Sequence, residues 1–301
     1  MRPYVITEDL EFILRRWLSI EGMIAPNAIF FRELQTRLVD YLGGIFTNCI
    51  LVKREKLESM IKAAAETEKE CQIVSIDGVY GIPYRKIELN RLGDQKTLKF
   101  LGLSERSGCE RLQIQIKKIS KDRKLVLVDD GCFSGNTLMQ VIGLFKQEGL
   151  FVKKCVIGIM VNRSGNLCLL ENPEICIQSA YEFEEAVDWL CERDFYIGFP
   201  LSGKTVGATS HDGGIYPLIP QVSIPYCLPF GNPTSSASIP VNLAVEYSRF
   251  VISQSIKLWE EIGRVNGKIF TCQEIPRLPI GIGREKVSFT EKLLAIRDRL
   301  A

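Results

Sequence analysis

The sequence is short of histidine, with one, His211, in 301 residues, and its ten cysteines include no Cys-x-x-Cys pair. Together these argue against a zinc site of ordinary Cys/His spacing. No stretch approaches the roughly 18 apolar residues that a membrane span needs. There is no internal repeat and no low-complexity tract. The start, Met1 to Asp9, carries acids where a secretory signal would be apolar. Neither sign of charge dominates: 38 Lys and Arg against 36 Asp and Glu leave +2. That balance fits neither a nucleic-acid wrapper nor an acidic solvating chain. What is present is the material of a globular core, 46% hydrophobic and 25% charged residues. A cytoplasmic protein with reduced thiols is the expectation, and cysteines in apolar runs, such as Cys155 and Cys176, read as small hydrophobes.

The pattern along the chain predicts three segments. Residues 1–70 read as helices: Leu10, Ile13, Leu14, Trp17 and Leu18 fall at helical spacing with Thr7 placed to cap them, and Lys53 to Lys69 is amphipathic through Leu57, Ile61 and Ala64. Residues 71–205 alternate strand and helix. Gln72 to Ile76 is a short strand before a glycine-bearing loop. Leu112, Ile114 and Ile116 alternate with glutamines in strand fashion. Leu125 to Val128 reads as a buried strand ending in Asp129 and Asp130. Leu138 to Phe145 is a helix closed by Gly149, and Cys155 to Val161 a further buried strand. Tyr181 to Arg193 reads as a helix through Phe183, Val187 and Leu190. Near-continuous apolar strands separated by helices predict an α/β fold, a parallel sheet flanked by helices. Residues 206–301 form an extension on that core. Gly and Pro from Gly198 to Pro240 predict a long loop or hood, followed by a helix over 241–263 and a last helix opened by the capping box Ser288 to Glu291.

The chemistry is carried by Leu125 to Thr137, Leu-Val-Leu-Val-Asp-Asp-Gly-Cys-Phe-Ser-Gly-Asn-Thr. A parallel strand delivers two carboxylates to its C-terminal edge, where α/β proteins bind ligands. Gly131, Ser134, Gly135 and Thr137 then turn into a helix whose free N–H groups, with two hydroxyls, can cradle a phosphate. Acids beside a phosphate cradle suit a sugar phosphate. The other reading of Asp129-Asp130 is a turn and helix cap.

This stretch resembles the phosphoribosyl pyrophosphate-binding motif of the type I phosphoribosyltransferase family. It departs from that motif at Gly131 and Cys132, where larger aliphatics are usual, and at Phe133, where a small residue is usual. Cys132 and Phe133 read as packing residues. Residues 73–83, Ile-Val-Ser-Ile-Asp-Gly-Val-Tyr-Gly-Ile-Pro, look like the family's pyrophosphate loop. The resemblance spans about residues 70–205. Beyond it, Asp194 to Gly203 and Ile224 to Pro233, with the long helix after them, look like the bacterial phosphoribosyltransferase-like proteins of conflict and stress operons.

The resemblance implies displacement of pyrophosphate from C1 of phosphoribosyl pyrophosphate by a nitrogen nucleophile, with Mg²⁺ held mainly through the ligand's oxygens. Asp129 and Asp130 would hold the ribose hydroxyls. Gly131, Ser134, Gly135, Asn136 and Thr137 would take the 5′-phosphate, and Asp77, Gly78, Val79, Tyr80 and Gly81 the pyrophosphate. The family's mobile loop falls between these sites, which makes Lys117 and Lys118 candidates for it; a solvated surface turn is their other reading. The partners implied are a phosphoribosyl ligand and a base that the sequence leaves unnamed. No membrane or nucleic acid is expected, and a homodimer is allowed for. Two alternatives stay open: a binding or regulatory module without transfer, and a hydrolase of nucleotide glycosidic bonds using the same site.

Two further signals compete. Gly198 to Thr205 fits the spacing of a phosphate-binding P-loop, but Val206 to Gly214 cannot sustain the helix such a loop requires. A substrate-side loop is the better expectation. His211, between Ser210 and Asp212, reads as a surface-turn histidine in place of a triad member.

Overall fold

The computed structural model describes residues 2–76, 84–106, 108–162, 171–210 and 215–300. The chain opens with a strand, β1 (Tyr4–Thr7), followed by α1 (Leu10–Ile20), α2 (Ala28–Ile45), β2 (Cys49–Val52) and α3 (Arg54–Ala65). The purely helical reading of residues 1–70 is therefore corrected. Tyr4-Val-Ile-Thr is buried at every position, so it shows no period by which a strand could be told from a helix. Thr7 ends β1, and Asp9 holds the N-cap position of α1.

Next come β3 (Gln72–Ser75), β4 (Arg85–Lys86), β5 (Leu89–Asp94), β6 (Phe100–Glu105) and α4 (Leu112–Lys117). The predicted strand at 112–116 is thus a helix. Leu112, Gln115 and Ile116 are buried while Ile114 is exposed, an i, i+3, i+4 face that alternation with polar residues had hidden. Then follow β7 (Leu125–Cys132), α5 (Asn136–Gln147), β8 (Val152–Val161), β9 (Cys176–Phe183) and β10 (Asp188–Cys191), with a 3₁₀ turn over Glu192–Phe195. The predicted helix at 181–193 is replaced by β9, β10 and that turn, because each strand finds a distant partner: β9 pairs with β8, and β10 with β1. Such pairing overrides local periodicity. Cys155 is buried as expected, whereas Cys176, at the start of edge strand β9, is exposed.

The Gly/Pro-rich region is not a loop. It holds β11 (Lys204–Thr209), β12 (Ile215–Ile224) and the short helix α6 (Pro233–Ala237). Pro220 falls where the β11–β12 ladder jumps from Ser223 to Ile219, so no regular ladder bond is lost there. The chain ends with α7 (Ala244–Asn266), β13 (Leu278–Pro279) and α8 (Phe289–Arg299). Ser288 caps α8 by accepting from the Glu291 N–H. Within α7, buried Trp259 donates from its indole to Ile197 O at 2.9 Å, tying the helix to the chain after β10.

The strands form three sheets. The core sheet, β4-β3-β7-β8-β9, is parallel throughout. A smaller parallel sheet, β10-β1-β2, joins the N-terminus to residues 188–191. The mixed sheet β13-β12-β11-β5-β6 brings residues 89–105 together with the C-terminal segment. The fold is mixed α/β with mostly parallel sheets flanked by helices. Leu127, Leu138, Phe145 and Ile157 pack one face of the core sheet, and Ile61, Val126 and Val156 the other. No helix among the described residues is long and apolar enough to cross a membrane.

Candidate functional site

A cavity of about 310 Å³ opens where the three sheets meet. Strand β7 of the core sheet and the turn into α5 contribute Asp129 to Leu138, the small sheet Asp188 to Cys191, and the mixed sheet Arg91 and Lys204.

The acid pair lies inside β7, which runs four residues past Val128 to Cys132. Asp129 is buried, and its Oδ1 accepts the Asp130 N–H at 2.9 Å. Asp130 is half-buried. Its Oδ2 accepts from the Cys191 thiol at 3.5 Å and lies 3.7 Å from Arg193 Nη2. Two glycines make room here. A Cβ on Gly158 of β8 would fall 2.3 Å from Asp130 O, and one on Gly131 would fall 2.5 Å from the Trp189 ring. The departure at Gly131 thus has a physical cause: the indole occupies the space that a larger aliphatic would take.

After β7 the chain turns through Gly135, whose φ of +83° lies in the left-handed region, at the N-cap of α5. Met139 N–H makes its helical bond to Gly135 O at 2.8 Å, so the N–H groups before it begin the helix without intrahelical partners. Ser134, Gly135, Asn136 and Thr137 all line the cavity. A helix start and a left-handed glycine at the C-terminal end of a parallel strand are a geometry that can cradle an anion. Phe133, read as a packing residue, is 40% exposed and lines the cavity, while Cys132 is buried.

The remaining candidates divide. Asp77, Gly78, Val79, Tyr80 and Gly81 lie outside the described residues, as do His211 and Asp212; Ile76, just before the loop, lines the cavity. Lys117 and Lys118 end α4 away from it. They pair with Glu148 at 3.9 Å and with Glu110, and neither lines the cavity. Arg91 and Arg106 line it instead. The P-loop spacing at Gly198 to Thr205 opens strand β11, not a helix, yet its Lys204 reaches the cavity with Nζ 5.7 Å from the Tyr226 ring centroid.

Behind Asp130 stands a polar cluster that local sequence did not announce. Arg193 forms an ion pair with Asp9, whose other oxygen accepts the Arg193 N–H at 2.9 Å. Burial pushes the Asp9 carboxyl up to about 6 even against the pull of Arg193. Glu192 faces the start of α1, accepting from the Asp9 and Leu10 N–H groups at 3.4 Å. Burial, with Asp9 and Glu8 nearby, pushes its carboxyl up to about 8. Asp188, at the cavity wall, is pushed up to about 6, again chiefly by burial. The only hint of these partners in the sequence was that Asp9 and Glu192-Arg193 bound apolar segments; their meeting depends on the β1–β10 pairing.

No protein-family profile and no curated protein matches the chain. Among solved structures, the chain is similar to an adenine phosphoribosyltransferase from Thermoanaerobacter pseudethanolicus ATCC 33223, at 14% identity, over 42% of this chain and 80% of that one, with a TM-score of 0.30.

Proposed function

We propose that the cavity binds the ribose 5-phosphate part of phosphoribosyl pyrophosphate and that the chain transfers the phosphoribosyl group with release of pyrophosphate. One observation carries this reading: the acid pair of β7 and the left-handed turn into α5 line a single cavity. Asp129 and Asp130 accept from the ribose hydroxyls, and the turn from Ser134 to Thr137 binds the 5′-phosphate. As the bond to pyrophosphate breaks, positive charge grows on the ribose, and carboxylates fixed beside it stabilise that charge more than they stabilise the bound substrate. Among the described residues no group of three His, Cys, Asp or Glu side chains is placed to hold a metal by itself. Two carboxylates at the sugar side suit Mg²⁺ shared with the ligand's oxygens, where it would offset the charge of the diphosphate. Phosphoribosyl pyrophosphate with Mg²⁺ should raise the melting temperature by mass action, more than ATP does. A shift with ATP alone would overturn the reading.

One feature favours a second reading. Arg193, 3.7 Å from Asp130, offsets part of the negative charge that the transition state would use. A site so balanced suits binding without transfer. Product analysis with radiolabelled phosphoribosyl pyrophosphate separates the two: pyrophosphate and a base-linked product support transfer, and unchanged ligand supports a binding module.

A further inference from the structure

Asp130 is held from behind. Both of its side-chain contacts fall on one oxygen: Oδ2 accepts from the Cys191 thiol at 3.5 Å and lies 3.7 Å from Arg193 Nη2. Oδ1 has no hydrogen-bond partner among the described residues, so it remains for whatever enters the cavity that Asp130 lines. Arg193 is itself fixed along its other edge. Its Nη1 forms an ion pair with Asp9 Oδ2, and its backbone N–H donates to Asp9 Oδ1 at 2.9 Å. One carboxylate thus grips both the main chain and the guanidinium of residue 193. Their meeting follows from register: β1 and β10 run parallel with Thr7 opposite Cys191, and Asp9 and Arg193 each lie two residues further on. Both are buried. A guanidinium taken out of water needs a partner, and Asp9 supplies one. The second edge of the fork is left over, and Asp130 takes it. Because the guanidinium is planar and rigid, seating Nη1 on Asp9 fixes where Nη2 meets Asp130. Arg91 also acts electrostatically on Asp130 from the facing wall, but its hydrogen bond goes to the Tyr226 hydroxyl at 3.4 Å.

Resting on the ribose-phosphate reading above, we propose that Arg193, anchored by Asp9, is the positioning residue for Asp130: it holds Oδ2 against the protein and so presents Oδ1 to a ribose hydroxyl. The role is the same whether or not transfer follows binding. An aspartate free to rotate loses side-chain entropy on meeting a ligand, whereas one already clamped has lost it on folding. The hydroxyl then finds a carboxylate oxygen in place and makes a charge-assisted hydrogen bond, the strong kind. The N-terminal segment, outside the stretch that resembles a phosphoribosyltransferase, thereby takes part in the site through residue 9.

The test is titration calorimetry on the full chain with two probes, ribose 5-phosphate and inorganic phosphate. The ratio of their affinities reads the ribose contacts apart from the phosphate cradle. Arg193→Gln alone would strand the Asp9 charge in the interior. The main variant is therefore Asp9→Asn with Arg193→Gln, which removes both charges together and leaves the net charge unchanged. The ratio should fall about tenfold, the share of one charge-assisted contact, with phosphate affinity unchanged. Asp130→Asn should lower it equally, and adding the pair of substitutions to Asp130→Asn should lower it no further, since Arg193 acts through that carboxylate. A wild-type ratio in the double variant, or a further fall in the Asp130→Asn background, would overturn the proposal. Wild-type protein that binds neither probe, or binds ribose 5-phosphate no better than phosphate, would instead remove the ribose-phosphate reading beneath it. Should the double variant not fold, Arg193→Lys keeps a cation against Asp9 but cannot span both carboxylates. It should show the same fall, and a wild-type ratio there would equally reject the proposal.

Discussion

The two long walls of the cavity are built in opposite ways. The acidic wall is one continuous run, strand β7 into helix α5, with Asp129 to Thr137 following one another along the chain. The facing wall takes Arg91 from β5 and Lys204 from β11, more than a hundred residues apart and brought together by the mixed sheet. The first wall is a motif and the second a product of topology. A local run can preorganise a phosphate cradle because backbone N–H groups and a single left-handed glycine suffice. Arg91 and Lys204 reach the cavity from strands that meet only after folding.

The largest effect tests how tightly the acidic wall is built. Gly158→Ala places a methyl 2.3 Å from Asp130 O, and backbone cannot step aside as a side chain can. We expect destabilisation of about 3 kcal/mol, the upper end of overpacking, with sugar-phosphate binding lost in the same variant. Urea titration at wild-type stability would show that β7 and β8 separate more freely than this packing implies.

The cluster behind the wall should give the protein a pH signature. The Glu192 carboxyl is raised from an ordinary value near 4.5 to about 8, so between those limits the unfolded chain is ionised there and the folded one is not. The folded state then binds the extra proton, and stability is fully present below about pH 4.5 and falls as pH rises toward 8, at up to about 1.4 kcal/mol per pH unit. Asp9, raised to about 6, adds a decline of the same sign over the lower part of that range. Glu192→Gln should flatten the slope, as read by melts from pH 5 to 8.5; an unchanged slope in the variant would place the titration elsewhere.

Smaller effects bear on the acids. Asp129→Asn and Asp130→Asn keep shape but remove charge from a hydrogen-bond acceptor, so each should weaken ribose 5-phosphate binding by about tenfold. If the pair were only a cap, stability would drop by about 1 kcal/mol with affinity unchanged, and calorimetry with parallel melts distinguishes these outcomes. Smallest of all, Lys117→Ala and Lys118→Ala should leave ligand affinity within twofold, since both lysines pair with surface acids. A marked loss would bring α4 back into the site.

The contrast between the walls also explains what could be read from the chain. The parallel sheet was legible because β7 and β8 are apolar on both faces, and helices α1, α3, α5 and α8 because each keeps one apolar side. The turn into α5 was legible because Gly135 and its neighbours need nothing distant. Strands β1 and β10 were not, since each is held by a partner far along the chain and carries little alternation of its own; β12 pairs mainly with its neighbour β11, and its prolines masked it. For the same reason Arg193 could not be linked to Asp130 beforehand: it follows β10, a strand placed by its pairing with β1 at the other end of the chain. Lys204 was visible within a spacing that resembles a P-loop, but the strand it opens, not a helix, decides what it faces.

The Trp189 ring over Gly131 gives the molecule an optical handle. Of its three tryptophans, Trp17 and Trp259 meet edge to face at 6.0 Å within the main hydrophobic cluster, far along the chain from the acid pair. Trp189 alone lines the cavity, with an indole N–H that has no partner among the described residues. A ligand arriving beside Asp129 and Asp130 would change the polarity around that one indole and leave Trp17 and Trp259 as they were. Emission from the native protein can therefore report occupancy through one fluorophore and unfolding through the other two, with no label attached.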